Sequence, residues 1–257
     1  MKPRLWSWLP VESKVKKKQT QLSTVSVSKQ RAIVLTEKQQ LPKNWEVVAG
    51  QQCQVVELFE SGQELKRQTK VKVQAGASLS VVQIFSGGHD VTSDWEIDLQ
   101  GDRASAQVQT AYLVHTQEHL QLTTTIIHHG RQSQSLIEAQ GVMWPGAEKL
   151  WRATIDFRRG CQGSSGSEKE QVLYWQEGTI KQVSAPLVLC QEDEVTGTHS
   201  VSAGLIDESM VQYLKTRGLN EQIIKQMIVR ERIQKIISVI DDEKIQEQVC
   251  QQLKTQL

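Results

Sequence analysis

Hydrophobic residues recur at every second position over most of this chain, and that period decides which folds are open to it. In KVKVQAGASLSVV, Val71, Val73, Ala75, Ala77, Leu79 and Val81 alternate with polar or small residues. In WEIDLQ, Trp95, Ile97 and Leu99 oppose Glu96, Asp98 and Gln100, and in LQLTTTII the residues Leu120, Leu122, Thr124 and Ile126 keep one parity. Successive side chains of a strand point to opposite faces, so the pattern predicts half-buried strands from about Ala32 to Ser200. Turn signals punctuate it: SGQ at Ser61, SGGHD at Ser86, GDR at Gly101, HHGRQ at His128, WPGAE at Trp144 and GCQGSSGS at Gly160. No amphipathic helix of ordinary length intervenes, which leaves a sandwich, a barrel or a solenoid of strands. Small residues on the inward parity (Ala75, Ala77, Ala104, Ala106) suit a narrow core and favour the solenoid.

After Gly204 the period becomes helical. Asp207 is placed to cap a first helix with Met210, Val211 and Leu214 on one face, ending at Arg217 with Gly218 in the C′ position. Asn220 is placed to cap a second, striped by Ile223, Ile224, Met227, Ile228, Ile236, Ile237 and Ile240, and Asp241 or Asp242 starts a third through Ile245, Val249 and Leu253. Such a small helical region cannot bury these stripes within itself, so they must pack on the strands or on a partner. The expected division is a basic extension over residues 1–31, a strand body over 32–204 and a helical region over 205–257.

Several function classes are disfavoured. Lys and Arg total 30 against 29 Asp and Glu, a balance that argues against a dedicated nucleic-acid binder. The tryptophans scatter from Trp6 to Trp175 without the spacing of a base-stacking platform. The apolar-rich stretch Ile223–Ile240 carries Lys225, Arg230, Glu231, Arg232 and Lys235, which excludes a membrane span. The N-terminus MKPRLWSWLP lacks a continuous apolar core, so no signal peptide is read, and Lys14, Lys16, Lys17 and Lys18 suit a solvated tail that Leu5, Trp6, Trp8 and Leu9 anchor at its start. Cys53, Cys161, Cys190 and Cys250 form no CxxC pair, the pattern of reduced thiols in a cytosolic protein. Walker A, GxSxG, HExxH and GxGxxG motifs are absent from the sequence.

The remaining candidates are weak when taken singly. His115, His119, His128 and His129 lie close in sequence, yet no cysteine or carboxylate completes a metal set, and surface or turn histidines are the plainer reading. Glu192–Glu194 offers paired carboxylates, or simply an acidic strand edge. Cys161, in a Gly/Ser-rich turn, is the thiol expected to be accessible, and Cys190, on an alternating strand, the one expected in the core. His199 stands alone in a run of small residues.

Taken in order, the last hundred residues are more specific. WRATIDFRRGCQGSSGSEKEQVL (151–173), PLVLCQEDEVTGTHSVSAG (186–204) and GLIDESMVQYLKTRGL (204–219) resemble three consecutive segments of the SufB/SufD family of iron–sulfur cluster assembly scaffolds, with the spacing from Pro186 through His199 to Gly218 preserved. The likeness is clear from about His128 onward, and the chain reads as a SufD-like short form without the family's larger N-terminal helical region. The resemblance implies a right-handed parallel β-helix with a small C-terminal helical region. It implies a cytoplasmic, non-enzymatic scaffold whose helices dock on a SufC-type ABC ATPase, here through Tyr213, Leu214, Arg217, Gly218, Ile224 and Ile228. It also implies pairing with a second SufB/SufD-type scaffold, as heterodimer or homodimer, around a transient iron–sulfur cluster. ATP enters only through the ATPase, and sulfur arrives indirectly from a cysteine desulfurase. His199 falls on the histidine implicated in cluster assembly and is the implied iron ligand. The family's C-S-H-G reads Gly197-Thr198-His199-Ser200, and the strand near Glu168–Trp175 lacks the cysteine of SufB-type members. Cys161 and Cys190 are the nearby substitutes for it, and Glu192 is a further candidate ligand. Two other readings stay open: a β-solenoid enzyme acting on polysaccharide through Glu192 and Asp193, and a structural adaptor that has lost cluster assembly.

Overall fold

The computed structural model describes residues 32–35, 43–60, 64–87 and 90–254. The basic extension, with its anchoring tryptophans, and the SGQ turn lie outside the described residues, as does part of the SGGHD turn.

Among the described residues thirteen strands precede three helices: β1 (Ala32–Leu35), β2 (Asn44–Val47), β3 (Gln52–Glu60), β4 (Leu65–Val73), β5 (Ser78–Ser86), β6 (Asp90–Leu99), β7 (Ser105–Val114), β8 (His119–His128), β9 (Gln134–Met143), β10 (Glu148–Phe157), β11 (Ser164–Tyr174), β12 (Lys181–Cys190), β13 (Val195–Leu205), then α1 (Glu208–Thr216), α2 (Glu221–Ile237) and α3 (Glu243–Lys254). Odd strands build one parallel sheet in the order β1-β3-β5-β7-β9-β11-β13, and even strands build a second in the order β12-β10-β8-β6-β4-β2. Each pass of the chain therefore adds one strand to each sheet, which is the parallel β-solenoid expected from the narrow alternating core. Stacked positions lie 26 residues apart between Gln54 and Ser80 and 31 apart between Gln140 and Gln171, so the coil widens along the chain.

The inward parity fills the lumen. Trp45, Trp95, Trp151 and Phe157 from the even strands and Phe59, Phe85 and Tyr112 from the odd strands are its largest buried side chains. One corner of each coil requires a left-handed residue: Gly50, Gly76, Arg103, Gln132 and Gly163 stack there with φ between 55° and 73°. At that corner each backbone N–H donates to a carbonyl in the next coil, as Arg103 does to Arg131 at 2.8 Å, so the strain is shared through a ladder.

Two sequence expectations change. KVKVQAGASLSVV is not one strand but β4 and β5 around a turn, and Ala75 lies exposed in that turn rather than in the core. The SSGS end of the presumed turn at Gly160 is the start of β11, where Gly166 sits inward beside Ile155 without room for a Cβ.

The helical caps form as read. Asp207 accepts from the Ser209 N–H at 2.9 Å, Asn220 from the Gln222 N–H at 2.8 Å, Asp242 from the Lys244 N–H at 2.9 Å, and Gly218 takes φ 87° after α1. The apolar stripes find their cover on the outer face of the odd-strand sheet. There Val56, Leu58, Val82, Ile84, Leu113 and Val142 pack against Val229, Ile233, Ile236 and Ile237 of α2 and Ile245 and Val249 of α3. That is why β5, β7 and β9 begin with alternating burial and end buried on both faces. Among the described residues no helix is long and apolar enough to cross a membrane.

Candidate functional site

Each coil of a solenoid covers the one before it, and the coil formed by β12 and β13 has none above it among the described residues. Apolar side chains consequently stand in solvent there: Val183, Leu187 and Leu189 on β12 and Val201 and Leu205 on β13 are 39–48% exposed. A strand edge with unpaired backbone groups beside exposed apolar surface is a surface made for association.

His199 lies on β13 at this open end, exposed, in register with Glu168 of β11. The column it completes runs through the lumen. Val55, Val81, Val108 and Ile137 are stacked partners in the earlier coils and are all buried aliphatics. Glu168 and His199 replace the aliphatic residues in the last two. Glu168 is 0% exposed, and neither carboxylate oxygen has a hydrogen-bond partner. Burial pushes its carboxyl up to about 8, although the nearby amides of Leu187 and Ile155 temper the rise.

The next inward carboxylate on β11, by contrast, is fully paired. Glu170, also 0% exposed, meets the Lys149 ammonium, accepts a 2.8 Å bond from the Tyr112 hydroxyl and is bonded by Ser184. Tyr112 reaches it because its partner in the next coil is Gly141, where a Cβ would fall 1.8 Å from the ring. Burial, with the Glu170 charge second, raises the Tyr112 phenol well above its ordinary range.

The two thiols exchange their expected places. Cys161 turns inward from its corner and is fully buried, its thiol raised by burial and then by the Glu192 charge. Cys190 is exposed because it ends the last even strand. Glu192 sits in the β12–β13 turn rather than on a strand edge and accepts from the Gly160 N–H at 2.8 Å; that bond and the Asp193 N–H hold its carboxyl low. A carboxylate committed to backbone amides is poorly suited to general acid work. Gly197, where the resembling family has cysteine, faces inward against Val188; a Cβ there would lie 2.7 Å from Val188 Cγ1. His128 is neither a surface nor a turn residue: it is buried between Ser133 and Ser135 at 2.7 and 2.8 Å, and burial lowers it to about 4. Among the described residues no group of three or more His, Cys, Asp or Glu is placed to hold a metal ion.

The helical candidates divide. Tyr213 is 57% exposed, accepts from Arg217 at 3.2 Å and lies under its guanidinium. With Met210, Ile223 and Met227 it leaves apolar surface on α1 and α2 in solvent. Leu214 and Ile228 are partly buried, and Ile224 is fully buried in the small cluster joining α1 to α2. Ile224 therefore supports this face from within. Gly218 is exposed at the turn between the helices.

Glu168, Glu170 and Lys149 escaped the sequence reading, though a signal existed. In SSGSEKEQV the two glutamates share the parity of Gly166 and Val172, so a strand with a buried inner face had to bury them.

The profile for the SUF system FeS cluster assembly, SufBD core domain, matches residues 20–232. The chain is 24% identical over 152 residues to the iron-sulfur cluster assembly protein SufD of Bacillus subtilis, across 59% of this chain and 35% of that protein. It is 22% identical over 169 residues to an iron-sulfur cluster assembly SufBD family protein of Mycobacterium leprae, across 63% of this chain and 43% of that one. A similar protein of Mycobacterium bovis is 25% identical over 132 residues, across 51% of this chain and 16% of its own length. The chain thus spans less than half the length of these curated relatives.

Proposed function

Because this chain belongs to the SufBD core-domain family of the SUF system for FeS cluster assembly, we propose that it is a non-enzymatic scaffold subunit on which an iron–sulfur cluster is built and from which it is passed on. The observation that carries the reading is His199 standing exposed on the uncovered coil, amid apolar edge residues. A neutral imidazole binds iron without the tenacity of a thiolate, which suits a cluster that must leave.

The scaffold works in a pair. The open edges of β12 and β13 meet a second SufB/SufD-type scaffold, and the cluster, as cargo, is held between the two. This chain lacks a thiolate beside His199 and has no complete ligand group among its described residues, so the partner supplies the cysteine. The exposed face formed by Met210, Tyr213, Ile223 and Met227 receives a SufC-type ABC ATPase. α2 is anchored on the outer face of the solenoid, so force applied at that ATPase face reaches the strand stack. ATP is hydrolysed on the ATPase, sulfur arrives indirectly from a cysteine desulfurase, and the assembly is cytoplasmic.

The test is anaerobic reconstitution of the chain with an ABC-type ATPase and a cysteine-bearing scaffold. The expected outcome is a stable complex that gains iron–sulfur absorption with ATP, and loses most of it in His199→Ala. A well-folded chain that binds neither protein overturns the reading.

A further inference from the structure

Five carboxylates of the described chain are buried: Glu57, Glu138, Asp156, Glu168 and Glu170. Four have a cationic partner, namely Arg67, Lys235, Arg158 and Lys149. Glu168 alone among them has neither a cation nor a hydrogen bond. Folded chains rarely leave a buried carboxylate orphaned, and such a group calls for a missing ion or a working role. Its place narrows the choice. The column beneath it is aliphatic in every coil from Val55 to Ile137, and the side chain above it in register is that of His199.

We propose that Glu168 and His199 form a two-ligand half-site for a divalent cation at the mouth of the solenoid, the buried carboxylate supplying the charge and the exposed imidazole the second donor. Under the scaffold reading, on which the identity of the ion rests, that cation is ferrous iron. Strands in one sheet lie ~4.8 Å apart, and in-register side chains point to the same face. Two such side chains bracket one ion at first-row metal–ligand lengths of roughly 2.1 Å. Carboxylate and imidazole together suit the borderline divalent metals better than calcium or magnesium. The bound ion leaves a net charge of plus one, which favours an arriving thiolate or sulfide. Its open coordination positions face the uncovered end, so a second subunit completes the shell. Gly197 and Val201, two residues to either side of His199 on β13, offer no competing donor.

The experiment uses the full chain, anaerobic, with its histidine rings isotopically labelled and Fe(II) titrated alone. The expected result is paramagnetic broadening of the His199 ring resonances before those of the exposed His119 and His129. In Glu168→Gln, which keeps shape but loses the anionic donor, the same broadening is expected to need at least about tenfold more Fe(II). An unchanged melting profile for this variant excludes misfolding as the cause. Broadening in Glu168→Gln at the wild-type concentration, or none in the wild type up to about 1 mM Fe(II), overturns the half-site. If either occurs while the chain still supports cluster formation with its ATPase and second scaffold, the half-site fails and the scaffold reading stands. If Fe(II) binds as described but no cluster ever forms, the half-site stands and the scaffold reading fails.

Discussion

Glu168 and Glu170 sit two residues apart on one strand, both wholly buried in the lumen, and only Glu170 is met by a cation. Substitution at the two sites gives opposite expectations. Lys149→Met strands the Glu170 charge and is expected to cost roughly 3–5 kcal/mol in urea unfolding. Lys149→Met combined with Glu170→Gln recovers much of it. Glu168→Gln, which removes a carboxylate that nothing balances, is expected to leave stability unchanged or raised.

Gly141 is irreplaceable for a steric reason. A Cβ at this position meets the Tyr112 ring at 1.8 Å, and the ring is held by Glu170 above. Gly141→Ala is expected to lose about 1–3 kcal/mol by calorimetry or denaturant unfolding. Tyr112→Phe does not relieve it, because the ring remains.

His128 predicts a pH dependence. Its folded value of about 4 lies below the ordinary 6.5, so unfolding takes up a proton between those values. The stability contributed by the neutral ring is complete above pH 6.5 and is lost as pH falls toward 4. The loss is roughly 3 kcal/mol over that window, from ~1.4 kcal/mol per pH unit. His128→Gln, compared by thermal melts across the same range, is expected to show a shallower slope.

The helical face separates docking from folding. Met227→Glu changes a half-exposed side chain and is expected to shift the melting temperature little while abolishing capture of the ATPase in a pull-down. Ile224→Ala hollows a fully buried site and is expected to cost about 2–5 kcal/mol. Equal loss of ATPase binding in a stably folded Ile224→Ala and in Met227→Glu would contradict this division.

Gly197 bears on the absent cysteine. Gly197→Cys places a Cβ 2.7 Å from Val188 Cγ1 and is expected to lower stability by roughly 1–3 kcal/mol. Gly197→Cys with Val188→Ala is expected to restore it. The pair of melts reads directly whether Val188 fills the space that a cysteine at this position would need.

Much of this was legible beforehand. The strand parity of Trp95, Ile97 and Leu99 and the caps at Asp207 and Asn220 depend on near neighbours in sequence, and the structure agrees with them. The placement of the thiols was not legible. Cys161 turns under a later coil and Cys190 has no coil above it, so a turn residue is buried and a strand residue is bare. His128 failed for the same cause: its serine partners come from the next turn and strand, which fold it inward.

By itself the sequence determined which residues share a face and where strands give way to helices, since these follow from alternation and capping over a few residues; it favoured a narrow stack of strands over a sandwich or a barrel without deciding among them. Only the tertiary structure decided which coil is left uncovered, that Glu168 is buried without a partner beneath His199, and which helical side chains stay in solvent. Burial and pairing are properties of what lies above and below a residue. In this solenoid those neighbours are 22 to 33 positions away along the chain, beyond the reach of any local period.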